Sequence, residues 1–171
     1  MPIDFPPGTP ITPDLLARLV PVWARKTLDQ SVTNSTTLVG DTALVVDVLA
    51  GAEYDVEAKI IYEAPVANDF KYNFSWPSGS FFPWGVMQLI ASAGSNTGDL
   101  APFAFGNPTP GDFFVAGGGG VGNQLLALVK GTLIVGPTAG KLQLQFAQGA
   151  VGAGTSAVCK AGSTLMLRRT L

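Results

Sequence analysis

The chain has 171 residues, of which 47% are hydrophobic and only 13% charged, and a formal net charge of −2. That length fits one domain with a core large enough to fold unaided, and the ten Lys and Arg are too scattered to form the basic patch that nucleic-acid binding requires. With no histidine and one cysteine, Cys159, a Ser-His-Asp triad, a zinc site and an internal disulfide are excluded, and no apolar run reaches the ~18 residues of a membrane helix.

The opening "MPIDFPPGTP" carries Pro2, Pro6, Pro7 and Pro10 and predicts an extended arm. It lacks the basic region and apolar stretch of a signal peptide, so synthesis and assembly in a cytoplasm are expected. "TPDLLARLV" reads as a short helix. Thr12 can cap it, Pro13 suits the first helical position and Asp14 favours the positive end of the dipole. Leu15, Leu16 and Leu19 form its apolar face, and Pro21 stops it. A helix this short is marginal alone in water, so it must dock, on its own domain or on a neighbouring subunit. With Phe5, these leucines are the candidate anchors of an arm spanning 1–21, and 22–171 form one β domain.

From Trp23 onward the pattern is β. "ARKTLDQSVTNSTTLV" gives an opening strand and a polar, turn-rich segment, and "TALVVDVLA" is a strand. In "YDVEAKIIYE", Tyr54, Val56, Ala58, Ile60 and Tyr62 alternate with Asp55, Glu57, Lys59 and Glu63, and Phe70, Tyr72, Phe74 and Trp76 alternate with Lys71, Asn73 and Ser75. Period two with one wet face means half-buried antiparallel strands. "PSGSFFPWG" is a loop broken by Pro77, Gly79 and Pro83, and "GVMQLIASA" a strand. Residues 92 to 120 are a long Gly/Pro-rich excursion with at most one or two short strands. "NQLLALVKGTLIVG" and "KLQLQFAQ" are strands, "GAVGAGTSA" a turn and "STLMLRRTL" the closing strand. The sum is an all-β fold of about eight or nine strands: an antiparallel β-sandwich, jelly-roll-like, with a Pro-rich N-terminal arm and one short helix.

Few residues carry candidate chemistry. Asp55, Glu57 and Glu63 could in principle form a glycosidase pair, but they alternate on a wet face and read as solvated surface. The "GGGG" of 117–120 and "GAVGAG" of 149–154 lack the Lys-Ser/Thr ending of a phosphate loop and read as loop glycines. Cys159 reads as a small buried apolar residue. Neither a catalytic residue, a metal nor a cofactor is expected. Phe81, Phe82 and Trp84, between prolines and glycines, are candidates for loop recognition, with core and interface equally open. Low charge and surplus apolar residues point to a subunit interface, and a homotrimer is expected.

"VWARKTLDQSVTNSTTLVGDTALVVDVLAGAEYDVEAKIIYEAP" and "GTLIVGPTAGKLQLQFAQGAVGAGTSAVCKAGSTLMLRR" resemble a β-sandwich virion module of tailed phages infecting actinobacteria. The module occurs in small head decoration proteins and at the end of minor tail proteins. The resemblance covers roughly residues 22 to 170 and its motifs are structural, so no catalytic residues carry over. It implies a capsid decoration protein on the virion surface, with the major capsid protein as partner. The alternative it implies is a minor tail or receptor-binding module recognising a host surface glycan.

Overall fold

The computed structural model describes residues 8, 10–13, 15, 16, 20–89, 100–106 and 112–170, with 89 and 100–106 as backbone only. Among them are twelve strands: β1 (Val22–Arg25), β2 (Gln30–Thr33), β3 (Val39–Val48), β4 (Glu53–Glu63), β5 (Phe70–Ser75), β6 (Trp84–Leu89), β7 (Leu100–Gly106), β8 (Phe114–Ala116), β9 (Leu125–Ile134), β10 (Gly140–Gln148), β11 (Ser156–Cys159) and β12 (Thr164–Arg169). The eight or nine strands expected from sequence are an undercount. The opening segment makes two strands, and "SAVC" makes β11 where only a turn was expected. Each of β1, β2 and β11 has four residues, too few for alternation to declare itself.

The strands form two antiparallel sheets. The larger runs β1-β12-β4-β9-β6-β7, with β11 against β4 and β2 against β11, and the smaller runs β3-β10-β5-β8. The pairing is nested. β1 pairs with β12, β2 with β11, β3 with β10, β4 with β9, β5 with β8 and β6 with β7. The chain is therefore one long hairpin, rolled up so that β12 also meets β4 and β10 also meets β5. That is the double Greek key of a jelly roll, as the sequence led us to expect.

The alternating residues of β4 fall as their period requires. Tyr54, Val56, Ala58, Ile60 and Tyr62 are buried. On β5, Phe70, Tyr72 and Phe74 are buried, and Trp76 packs against the core. Facing them are Leu142, Leu144 and Phe146 of β10 and Ala127, Val129 and Leu133 of β9. The rings stack through the centre: Tyr62 on Phe70 at 4.7 Å, Phe70 on Phe146 at 5.5 Å, and Phe74 edge-on to Trp84 at 5.3 Å. The aromatic-rich strands thus fill the core between the sheets.

Two glycines are set by close approach. A Cβ on Gly118 would lie 2.2 Å from the Pro65 carbonyl oxygen, so the glycine run at 117–120 packs backbone on backbone rather than merely looping. A Cβ on Gly131 would lie 2.6 Å from the Trp84 Cβ, and Gly131 stands opposite Trp84 in the ladder.

Candidate interaction surfaces

The expected helix begins as its capping residues dictate. The Leu15 N–H donates to Thr12 Oγ1 at 3.2 Å, and the Leu16 N–H to the Thr12 carbonyl at 2.9 Å. One turn on, the Val20 N–H donates to the Leu16 carbonyl at 3.2 Å, which sets Leu16 and Val20 above one another. Both are solvent-exposed, at 51% and 54%, and Leu15 is half-buried. Phe5 and Leu19 lie outside the described residues.

The three loop aromatics separate. Phe82 and Trp84 are each 1% exposed and pack on Phe74 at 5.8 and 5.3 Å. They are core residues, which corrects their candidacy for recognition. Trp84 opens β6 with its ring in the core, and its Cβ lies where a side chain on Gly131 would otherwise sit. Phe81 remains on the surface at 51% exposure. It exchanges two backbone hydrogen bonds with Ile134, each 2.9 Å.

The topology gathers exposed apolar groups at one end. β1 begins with Val22 opposite Leu167, β12 ends with Arg169 opposite Tyr54, and β9 ends with Ile134 opposite Glu53. The arm therefore leaves the sandwich at the end that carries the β3–β4 turn and Phe81. Leu49, Phe81 and Ile134 are all exposed there. Val22 and Phe81 are separated by four strand spacings, about 19 Å. The opposite end also exposes Val121 and Val151, but its turns are tied by side-chain hydrogen bonds. Asn68 Nδ2 donates to the Ala150 carbonyl at 3.2 Å, Gln148 Nε2 to Thr155 Oγ1 at 2.8 Å, and the Gly122 N–H to Glu63 Oε1 at 2.7 Å.

The outer face of the larger sheet carries a shallow groove of about 210 Å³ lined by Trp23, Ala58, Leu128 and Met166, with Glu57, Lys59 and Lys130 around it. Register explains it: Trp23 stands opposite Met166, Met166 opposite Glu57, and Glu57 opposite Lys130. Trp23 is 61% exposed.

The carboxylates weighed for chemistry are each tied to a cation. Asp55 meets Arg168 at 2.5 Å, Glu57 meets Lys130 at 3.1 Å and Glu63 meets Lys160 at 3.7 Å. Lys160 also holds Asp29 at 2.6 Å. That hydrogen bond keeps the Lys160 ammonium above its ordinary pKa and the Asp29 carboxyl below its own. Among the described residues no group of three or more His, Cys, Asp or Glu is placed to hold a metal, and no helix is long and apolar enough to cross a membrane.

Sequence reasoning missed the buried ion pair. Lys26 Nζ lies 2.7 Å from Asp41 Oδ2, with both side chains almost wholly buried. Asp41 Oδ1 accepts the Ala43 and Leu44 N–H groups, each at 2.9 Å. Gln30 Oε1 takes a longer contact from Lys26 at 3.4 Å and the Thr42 N–H at 2.9 Å. Nearby Cys159 is buried, and burial first, with the Asp41 charge, pushes its thiol up to about 12. The native protein should therefore ignore a thiol reagent at pH 8 and yield one thiol per chain only after denaturation. Prompt labelling of the native protein would contradict this placement.

No protein-family model matches the chain, and no curated protein matches it. Among solved structures, it is similar to a chain of the infectious bursal disease virus Gx strain, at 9% identity and a TM-score of 0.22, covering 90% of this chain and 41% of that one. It is also similar to the VP2 subviral particle of the same virus, at 10% identity and a TM-score of 0.21, covering 89% and 40%. The chain thus spans less than half the length of the chains it matches. Likeness this remote carries no argument about function.

Proposed function

We propose that the protein is a structural component of a phage virion, a capsid decoration protein bound in many copies to the outside of the head. The carrying observation is that Leu16 and Val20 of the arm, with Leu49, Phe81 and Ile134, are exposed at the end of the sandwich from which the arm leaves, beside a buried core. Apolar groups left out of a formed core favour a surface that something else covers. The resemblance of residues 22 to 170 to the actinobacterial phage module supplies the setting. On this reading the protein is a homotrimer that clamps the joints between major capsid protein subunits. Its arms grip a neighbour through Phe5, Leu15, Leu16 and Leu19, and many weak copies resist internal pressure by avidity. It assembles in the host cytoplasm. A receptor-binding module for a host glycan needs exposed aromatic faces; the burial of Phe82 and Trp84 leaves Phe81 of the loop, with Trp23 and Phe113 exposed elsewhere.

Deleting residues 1–20 should leave the melting temperature nearly unchanged but weaken binding to particles at least a hundredfold. Two lost anchors of about 1.5–3 kcal/mol each exceed the ~2.7 kcal/mol this requires. Copies per purified particle, counted on a denaturing gel, should number in the hundreds and co-purify with heads. A few copies, confined to tails, would overturn the decoration reading.

A further inference from the structure

We propose that the apolar stripe of the arm, Leu16 and Val20, docks into the groove beside Trp23 on the outer sheet face of a second copy. The inference rests on the reading that the arm grips a neighbour, and it names that neighbour.

Both halves of the contact are uncovered in the single chain. Leu16 and Val20 share one side of the helical turn, and Ile11 just before it is 77% exposed. A helix so short does not hold together in water, so a surface must complete it. The groove offers one of matching chemistry. The outward side chains of Trp23, Leu128 and Met166 line it. At about 210 Å³ it exceeds the ~150 Å³ that accommodates a benzene ring, enough for an aliphatic side chain. At its rim Glu57 and Lys130 neutralise one another.

The occupant belongs to another copy because of the join. Only Pro21 and Val22 separate Val20 from Trp23, and proline fixes the backbone at the one place where the stripe would have to turn back. In the single chain stripe and groove are in fact both open. Because they are different surfaces, the contact is heterologous, and it closes into a ring or propagates. A ring of three is the homotrimer proposed above. In a ring each copy gives one arm and receives one, so two modest contacts hold every subunit.

The test uses the full chain in solution, without particles. One variant, Leu16→Glu with Val20→Glu, spoils the stripe. A second, Met166→Glu, spoils the groove, and Trp23→Ala, on the exposed edge strand, stands in if the second melts early. Sedimentation at micromolar concentration should find the wild type larger than a monomer and each variant alone monomeric, its association weakened at least tenfold. Mixing the two variants should restore association as a one-to-one dimer, since each keeps the half the other lacks. Tryptophan emission should shift to the blue on mixing, as Trp23 becomes covered. No recovery on mixing, or a monomeric wild type, would overturn the proposal. Absence of the protein from virions would sink the decoration reading and leave this result untouched.

Discussion

Asp41→Ala is expected to lower stability by about 3–5 kcal/mol, because it strands Lys26 as an unpaired charge in the interior. The substitution also orphans the buried Leu44 N–H and frees the half-buried Ala43 N–H, and an unsatisfied buried donor costs about 1–3 kcal/mol, so the loss belongs at the upper end. Lys26→Ala should cost less, since Asp41 would keep both backbone donors. Converting the pair together, Lys26→Met with Asp41→Leu, should recover part of the loss by removing both charges, though not the part owed to the two amides. Urea melts of the four proteins check the order. A drop below about 1 kcal/mol for Asp41→Ala would mean the pair is wetter than its burial implies. The pair matters because of its place. Lys26 follows β1 of the larger sheet and Asp41 sits on β3 of the smaller one, so it pins the two sheets together along one side.

Phe146→Ala should cost about 3–5 kcal/mol by leaving a cavity between the sheets. The ring is fully buried on β10 and stacks on Phe70 at 5.5 Å, which itself stacks on Tyr62 at 4.7 Å. Phe146→Leu keeps most of the volume and should recover more than half of the loss. A change below about 1 kcal/mol for the alanine variant in denaturant melts would place the inward face of β10 on the wrong side. Phe146 stands opposite Val39 on β3, two residues from Asp41, so the two effects are expected to couple rather than simply add.

What the sequence made legible was periodicity. Tyr54 to Tyr62, Phe70 to Phe74 and Leu142 to Phe146 declared their inward faces because a half-buried strand must alternate. Short strands without an alternating run, such as Ser156–Cys159, were invisible. Phe82 and Trp84 stayed open between core and interface for a specific reason. Pro83 and Gly85 beside them are loop signals, but the missing side chain of Gly131 lets the Trp84 Cβ and the Phe82 ring pack close to β9. Lys26 and Asp41 were hidden for a similar reason. Charges far apart in sequence read as surface until the fold brings them together. Of the surfaces, the arm was legible from its prolines and cap. The groove was not, because its lining comes from four strands that are neighbours only in the rolled sheet.

The nested ladders also bear on how the molecule comes together and apart. In a rolled hairpin, each outer pairing joins segments farther apart in the chain than the one inside it, up to Val22 with Leu167. Closing a distant pairing from a free coil is entropically expensive, and such topologies fold slowly. Nesting lightens that cost. Once β5 has found β8, the segment between β4 and β9 is already drawn together, and each ladder prepares the next outward. Folding is then expected to proceed from the middle of the chain toward its ends, and β1, whose one ladder among the described residues is with β12, is the last strand to lock and the first to fray up to the Lys26–Asp41 pair. The arm is tied to that strand. A load borne by the arm is thus felt first at the most dispensable seam of the roll, and it can loosen β1 while the core keeps its shape.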